Sequence, residues 1–193
     1  MNGEWCYWVD AFTPTECDAI VGSALKLPEN AATIGINSDL ANSSFRRSVI
    51  RWIDHKANPE YTWIYDKLWK FQIVINRDWF NFNVTHLPPM QFTEYDESYQ
   101  GEYKTHQDIF WLPKGNTHRK VSLIVQLTTP SEYEGGNLRF ENLDQCPQEN
   151  DYEAMRRKGT IIAFPSFVYH RLEPVTKGKR HSLVGWFEGP KFQ

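Results

Sequence analysis

The sequence predicts an α+β protein that is mainly β, an antiparallel sandwich with N-terminal helices packed on one sheet. Three observations predict it. The 193 residues are 40% hydrophobic and 23% charged, which is typical of a globular domain. In the first third, apolar residues recur at helical spacing. From about residue 83, short β-rich runs separated by turn residues follow one another without long helices between them.

The helical part is predicted from its start signals and its periodicity. Thr13-Pro14-Thr15-Glu16 combines a capping box with proline at the first helical position, and this helix continues to about Leu27. A second helix begins at Asn58-Pro59, and its apolar residues recur every three or four places as far as Trp79. Residues 48–53, between the two helices, have the composition of a strand.

The β part is predicted to contain seven short strands, as in sandwiches and barrels. Residues 141–158 are polar, and they predict a long loop with one helical turn. The predicted strands are residues 90–95, 103–108, 121–128, 137–140, 160–164, 168–172 and 180–187.

Charge and cysteine content argue against several classes of protein. Lysine and arginine number 21 against 24 acidic residues, a net charge of −3, so no general nucleic-acid binding is expected. The three cysteines include no C-x-x-C pair, which argues against a disulfide framework and a cysteine zinc site. No apolar run approaches the roughly 18 residues of a membrane span, and no secretory signal is visible. We therefore expect a cytoplasmic protein with no membrane contact.

A metal site is predicted from His106-Gln107-Asp108. In a strand, alternate side chains share a face, so His106 and Asp108 are predicted to point the same way. An imidazole and a carboxylate are two of the three ligands of the facial triad that holds non-heme Fe(II). His170, in a late strand, is the candidate for the third ligand. Taken alone, H-x-D also fits an ordinary pair on a surface strand.

A buried anion site is predicted on the strand 180–187. Arg180, Ser182, Val184 and Trp186 share one face of this strand. A guanidinium on an inward face requires an anion, since an unpaired buried charge is very costly. The anion is either an internal Asp or Glu side chain or a ligand carboxylate that Arg180 holds with two parallel hydrogen bonds.

Further motifs surround these residues between about 95 and 190, in a fixed order. They are His106-x-Asp108, Glu134-Gly135-Gly136-Asn137-Leu138-x-Phe140, Lys158-Gly159-x-x-x-x-Phe164-Pro165-Ser166, His170-Arg171, Pro174-Val175-Thr176-Lys177-Gly178-x-Arg180, Ser182-Leu183-Val184-x-Trp186 and Gly189-Pro190. In order and spacing they resemble the Fe(II)/2-oxoglutarate-dependent dioxygenases. Within these they resemble the prolyl 4-hydroxylase branch, especially its short bacterial and viral members.

The resemblance implies a double-stranded β-helix, or jelly roll, over residues 83–190. Residues 1–82 would form a helical N-terminal support region, and residues 1–193 a single domain. It implies Fe(II) held by His106, Asp108 and His170, with 2-oxoglutarate chelating the iron through its keto acid end. Arg180 would bind the far carboxylate, and Ser182 would add a hydroxyl contact.

Other predicted site residues follow from the same resemblance, with alternatives open. Tyr95, Tyr103 and Gln126 are candidates for one more contact to 2-oxoglutarate. Trp186 would line the substrate pocket unless it packs in the core. Arg119 would lie near the substrate unless it is a solvated loop charge. Two loops are predicted to cover the pocket, residues 96–102 with Tyr99 and residues 37–47 with Arg46 and Arg47.

The function implied by the resemblance is hydroxylation of proline in a polypeptide, of the procollagen-proline type. 2-Oxoglutarate and O₂ would be consumed, with succinate and CO₂ as products and ascorbate as a supporting reductant. The implied location is the bacterial cytoplasm, or that of the host cell for a viral enzyme. The alternatives are a hydroxylase of a free amino acid, small molecule or nucleobase, and a jelly-roll binding module without activity. The sequence leaves the substrate protein and the oligomeric state open.

Overall fold

The computed structural model describes residues 3–31, 44–112 and 115–193. The first part of the chain contains two α-helices and four short strands. Their bounds are β1 Cys6–Trp8, α1 Pro14–Ala24, β2 Asn30–Ala31, β3 Arg46–Arg47, β4 Val49–Ile53 and α2 Thr62–Ile75.

The rest of the described chain contains eight strands and one α-helix. All seven strands predicted after residue 83 are present. The bounds are β5 Met90–Asp96, β6 Glu102–His106, β7 Thr117–Gln126, β8 Tyr133–Gly135, β9 Leu138–Glu141, α3 Glu149–Arg156, β10 Ile161–Pro165, β11 Tyr169–Leu172 and β12 Val175–Pro190.

The helices begin where their capping signals lie. The Thr13 hydroxyl accepts a hydrogen bond from the Glu16 amide at 3.2 Å, and the Glu16 carboxylate accepts one from the Thr13 amide at 2.7 Å. This helix ends at Ala24, slightly before the predicted Leu27. The second predicted helix consists of three consecutive elements in the structure. They are a 3₁₀ turn, the helix α2 and a π-helical turn. In residues 141–158 the structure has the two-turn helix α3 rather than one turn, because it buries Met155.

The strands form two antiparallel sheets, which confirms the predicted jelly roll. The large sheet has the order β1-β10-β7-β12-β5-β4-β2, with β8 paired to β12. The small sheet has the order β3-β6-β11-β9. The N-terminal region therefore does more than supply helices, because β1, β2 and β4 extend the large sheet and β3 extends the small one.

Two buried clusters hold the layers together. One lies between the helices and the large sheet and includes Leu68, Phe92 and Leu183. The other belongs to the space between the two sheets and includes Phe140 and Phe164. Successive residues of β12 alternate between these two sides, so Arg180 and Ser182 enter the space between the sheets. Within the described residues, no helix combines the length and apolarity of a membrane span.

Candidate active site

His106, Asp108 and His170 meet at one point between the sheets. Asp108 Oδ1 lies 3.7 Å from His106 Nε2, and Asp108 Oδ2 lies 3.7 Å from His170 Nε2. All three ligand atoms lie within 4.8 Å of one another, close enough to share one ion. Among the described residues, this is the one group of histidine, cysteine and acidic side chains with that geometry.

The surrounding backbone orients each of these side chains. His106 and His170 are direct partners across β6 and β11. Strand β6 ends at His106, so the prediction that Asp108 also lies in the strand is wrong. The Asp108 amide instead donates to the Ser166 carbonyl at 2.9 Å, and the Ser122 hydroxyl donates to Asp108 Oδ2 at 2.6 Å. These two bonds turn the carboxylate towards the histidines.

The two imidazoles present the correct nitrogen for a metal. His106 Nδ1 lies 2.7 Å from the Lys104 carbonyl, and His170 Nδ1 lies 3.0 Å from the Val168 carbonyl. A carbonyl only accepts, so each Nδ1 carries the hydrogen and each Nε2 keeps a free lone pair. Burial and the neighbouring His170 lower the pKa of His106 to about 3, which keeps it neutral. This donor set fits Fe(II).

Asp108 keeps its negative charge although it is buried. Burial opposes ionisation of this carboxyl, but His170, His106 and Arg119 outweigh it and lower its pKa. The carboxylate is therefore available as a ligand.

Arg180 is a buried guanidinium without a counter-charge. It is 2% exposed, and its Nη1 lies 3.4 Å from the Ser182 hydroxyl oxygen. Its Nε has no hydrogen-bond partner. Within the described part of the chain, no carboxylate lies within 4.0 Å of its nitrogen atoms, so the internal ion pair considered above is not found. An unsatisfied buried donor of this kind fits a carboxylate ligand such as 2-oxoglutarate.

One cavity of about 450 Å³ connects these features. It is a size typical of small-molecule sites. The predicted residues that line it are His106, Asp108, His170, Arg180, Ser182, Tyr95, Tyr103, Arg119 and Trp186.

The chain matches the family model of the 2OG-Fe(II) oxygenase superfamily over residues 90–188. It belongs to this superfamily. The match begins at β5 and ends within β12, so it contains the three candidate ligands and Arg180.

Curated relatives of the chain are PKHD-type hydroxylases. The protein from Gloeothece citriformis is 37% identical over 86 residues, which are 45% of this chain and 37% of the relative. The protein from Idiomarina loihiensis is 33% identical over 90 residues, 46% of this chain and 38% of the relative. The match therefore spans well under half the length of these relatives.

Solved structures of other superfamily members share the fold over nearly the whole chain. A viral collagen prolyl hydroxylase from Paramecium Bursaria Chlorella virus-1 has a TM-score of 0.70 at 18% identity, over 96% of each chain. A Pseudomonas putida prolyl-4-hydroxylase has a TM-score of 0.66 at 21% identity, over 99% of this chain and 94% of that one. A Trichoplax adhaerens prolyl hydroxylase, in complex with a peptide fragment of hypoxia inducible factor, has a TM-score of 0.72 at 16% identity, over 96% and 83% of the chains.

Two tyrosines lie beside the charged groups of the superfamily site. The Arg180 guanidinium carbon lies 5.7 Å from the centre of the Tyr95 ring. The Tyr103 ring stacks on His106, with 3.5 Å between ring centres. Burial raises the pKa of Tyr103 to about 12, so its hydroxyl remains a hydrogen-bond donor. Both tyrosines stay candidates for contact with 2-oxoglutarate.

Other predicted site residues lie away from the cavity. Gln126 is buried in a separate small pocket beside Asn137 and Arg156. The Tyr99 hydroxyl donates to the Glu94 carbonyl at 3.2 Å, and no residue of 96–102 lines the cavity. The other predicted loop differs, since its residues 46 and 47 form strand β3 and Arg46 lines the cavity; residues 37–43 lie outside the described residues.

The entrance of the cavity is aromatic and cationic. The Arg119 guanidinium carbon lies 3.9 Å from the Trp186 ring centre and 5.0 Å from that of Phe110. Its Nη1 also donates to the Asp108 carbonyl at 3.3 Å, so Arg119 is not a solvated loop charge. Trp52 lies 6.4 Å from Trp186 and is 42% exposed, so this side of the cavity reaches the surface.

One entrance residue, Trp52, was missed by sequence reasoning, and Arg46 was predicted only as part of a covering loop. Arg46 and Trp52 both line the cavity, and both come from the N-terminal region. The signal for Trp52 was present, since it alternates with the buried Arg51 and Ile53 in a predicted strand. Arg46 lies in a two-residue strand, which is too short to show any alternation.

Proposed function

We propose that this protein is a 2-oxoglutarate- and Fe(II)-dependent dioxygenase that hydroxylates proline in a polypeptide. The observation that carries the proposal is the shared cavity, in which a three-ligand metal site and an unpaired buried guanidinium lie together. The non-catalytic module is disfavoured, because a module without activity is under no need to keep all four residues.

His106, Asp108 and His170 would hold the iron, and Arg180 would bind the far carboxylate of 2-oxoglutarate. When bound, iron and 2-oxoglutarate supply the O₂ chemistry that hydroxylates a C–H bond and releases succinate and CO₂. The chain's part is to bind and orient. The Ser182 hydroxyl lies within reach of Arg180 and can turn towards the same carboxylate.

Apolar walls keep water away from the reacting groups. Ile124, Leu138, Leu172 and Val184 line the cavity between the charged residues. In a poorly solvated pocket, the contact between a guanidinium and a carboxylate is stronger than in water. The same walls favour a substrate with an apolar reacting group, such as a proline ring.

The entrance supports a polypeptide rather than a free metabolite. Past Trp52, Arg119 and Trp186 the cavity adjoins a second depression of about 310 Å³, lined also by Pro88 and Pro89. A chain that presents a proline to the iron needs such room on its flanks. Structural neighbours are prolyl hydroxylases, one of them solved with a peptide, and curated relatives are PKHD-type hydroxylases.

The location we propose is the cytoplasm. All three cysteines are free, and Cys6 and Cys17 are buried. Burial raises the pKa of Cys17 to about 11, which leaves it an unreactive thiol. Unpaired thiols are usual in a reducing compartment.

The test is mass spectrometry of proline-containing peptides and of host lysate after incubation with enzyme, Fe(II), 2-oxoglutarate and ascorbate. We expect a gain of one oxygen on proline together with succinate. His170→Ala should abolish both, whereas His86→Ala, which changes a half-exposed histidine outside the cavity, should retain them. Succinate without any oxidised proline would show another substrate, and no use of 2-oxoglutarate at all would refute the dioxygenase.

A further inference from the structure

Arg46 and Arg47 are neighbours on β3 with opposite surroundings. Arg47 Nη2 lies 2.8 Å from Glu102 Oε1, and its guanidinium also donates to the Gln100 carbonyl at 2.9 Å. Arg46 is 7% exposed and lines the cavity. Among the described residues, no carboxylate lies within 4.0 Å of Arg46. Among the described residues, Arg47 therefore has a carboxylate partner and the adjacent Arg46 has none.

The Arg46 side chain is held in place, although no described carboxylate pairs with its charge. Its Nε donates to the Ser48 hydroxyl at 2.8 Å, and its guanidinium carbon lies 4.5 Å above the Tyr103 ring. That ring in turn stacks on His106. These contacts use Nε and one face of the guanidinium. The two terminal nitrogens, which form the bidentate fork with a carboxylate, have no acceptor among the described residues.

The cavity as a whole carries an excess of positive charge. Three positively charged residues line it, Arg46, Arg119 and Arg180, and one negatively charged residue, Asp108. Iron and 2-oxoglutarate, once bound, carry equal and opposite charges. Two positive charges therefore remain beside the substrate, and a buried unpaired charge is costly.

We propose that Arg46 binds a carboxylate that the substrate carries close to the hydroxylated residue. The proposal rests on the proposed function and narrows its substrate class. Arg180 is already assigned to 2-oxoglutarate, and Arg119 contacts Trp186 and the Asp108 carbonyl. In Arg46 both terminal nitrogens lack an acceptor among the described residues. The carboxylate is an Asp or Glu side chain within the polypeptide, or the terminal carboxylate of a shorter substrate.

The test uses peptides blocked at both ends, each with one proline. Asp is placed at each position within two residues of the proline, and every peptide has a twin with Asn there. Both peptide affinity and the rate of oxygen gain are measured. For wild type we expect at least one Asp placement to be preferred about tenfold to a hundredfold over its twin, as for a poorly solvated charge pair.

Two variants assign the preference to one arginine. In Arg46→Gln the preference for Asp should disappear, whereas Arg47→Gln should retain it. Arg47 is a matched control because Glu102 keeps a second partner, Lys104 Nζ at 2.7 Å, when Arg47 is changed. Arg46→Glu should shift the preference to a third version of the peptide, which has Lys in place of Asp. If an Arg46 variant does not fold, the comparison of Asp peptides with their Asn twins on the wild-type protein still tests the proposal.

Free proline and a peptide with an unblocked terminal carboxylate distinguish the two sources of the anion. An Asp preference in blocked peptides supports the side chain, and a preference for the unblocked forms supports the terminal carboxylate. Equal values for every Asp and Asn twin together with no preference for the unblocked forms, or a preference that survives in Arg46→Gln, would overturn the proposal. Hydroxylation of neutral peptides would then still uphold the proposed function. Conversely, Asp binding that depends on Arg46, without any oxygen gain on proline, would refute the proposed function only.

Discussion

The inner end of the cavity comes from one part of the chain, whereas the entrance combines Arg119 and Trp186 of that part with two residues of earlier strands. The inner end, with the three candidate metal ligands and Arg180, is built from residues 90–188, the part matched by the superfamily. Arg46 and Trp52 at the entrance come from β3 and β4, which precede that part. Both groups line one cavity. We infer that the inner end serves the chemistry common to the superfamily and that the N-terminal strands select the substrate.

The two ends also differ in how their side chains are held. At the inner end, backbone carbonyls orient both histidines and the Ser122 hydroxyl orients Asp108. At the entrance, the aromatic and guanidinium groups mostly pack on one another, and the buried indole N–H of Trp186 has no partner. Changes at the inner end should therefore damage iron or 2-oxoglutarate binding, and changes at the entrance should damage substrate binding.

The largest expected effect is at Arg180. Loss of one partner of a desolvated charge pair typically costs about 2–5 kcal/mol. Arg180→Ala should weaken 2-oxoglutarate binding by about 30-fold to several thousandfold. Arg180→Lys should recover only part, because an ammonium cannot form the fork. The measurement is 2-oxoglutarate affinity and iron content. A folded Arg180→Ala protein that binds both like wild type would leave this arginine a structural role only.

Ser122→Ala should act on iron rather than on 2-oxoglutarate. The hydroxyl orients the carboxylate of Asp108 at 2.6 Å, and loss of such a partner typically lowers metal affinity about 10- to 100-fold. Titration of the apo-protein with metal measures this loss of affinity. Ser98→Ala, a change in the turn outside the cavity, is the control. Unchanged metal affinity in Ser122→Ala would show that Ser166 and the backbone suffice to hold Asp108.

Trp186→Ala should separate the entrance from the inner end. The indole packs against Arg119 at 3.9 Å, so its loss should weaken peptide hydroxylation by about tenfold or more, on the scale of a buried aromatic contact. Binding of 2-oxoglutarate should change much less. Peptide kcat/KM and 2-oxoglutarate affinity are measured side by side. Equal losses in both would mean that the tryptophan is a core residue.

Asp96→Asn, outside the cavity, should affect stability alone and only modestly. Burial opposes ionisation of Asp96, but Lys179 Nζ at 2.7 Å and the Ser98 amide outweigh it and lower the pKa to about 2. A lowered pKa stabilises the folded state above the unfolded value near 4, and this contribution is lost as the pH falls towards about 2. Because Lys179 is 57% exposed, we expect only about 1 kcal/mol.

Urea unfolding of wild type and Asp96→Asn at pH 7, 4 and 3 measures this effect. The difference between the two proteins should be largest at pH 7 and should shrink as the pH falls. A difference that stays constant with pH would show that the carboxylate acts through its shape and not its charge. Peptide and 2-oxoglutarate affinities should remain as in wild type.

The sequence by itself determined the inner end of the site. Side chains alternate along a strand whatever its neighbours are, so Arg180 and Ser182 could be assigned to one face before any partner strand was known. The motif order then indicated the fold and the three candidate ligands. Even there one local detail differed, since Asp108 lies beyond β6 and owes its position to Ser166 and Ser122.

Only the tertiary structure decided which N-terminal residues line the entrance and where the remaining candidate residues lie. Arg46 enters the cavity because β3 pairs with β6. This pairing sets Arg46 opposite Tyr103, which lies more than 50 residues later in the sequence. A two-residue strand has no periodicity from which this pairing could be predicted. Gln126 and Tyr99 have suitable chemistry and lie near the motifs in sequence, yet they point elsewhere. Alternation along a strand is a local property of the backbone, whereas the choice of neighbouring strand depends on packing between distant segments.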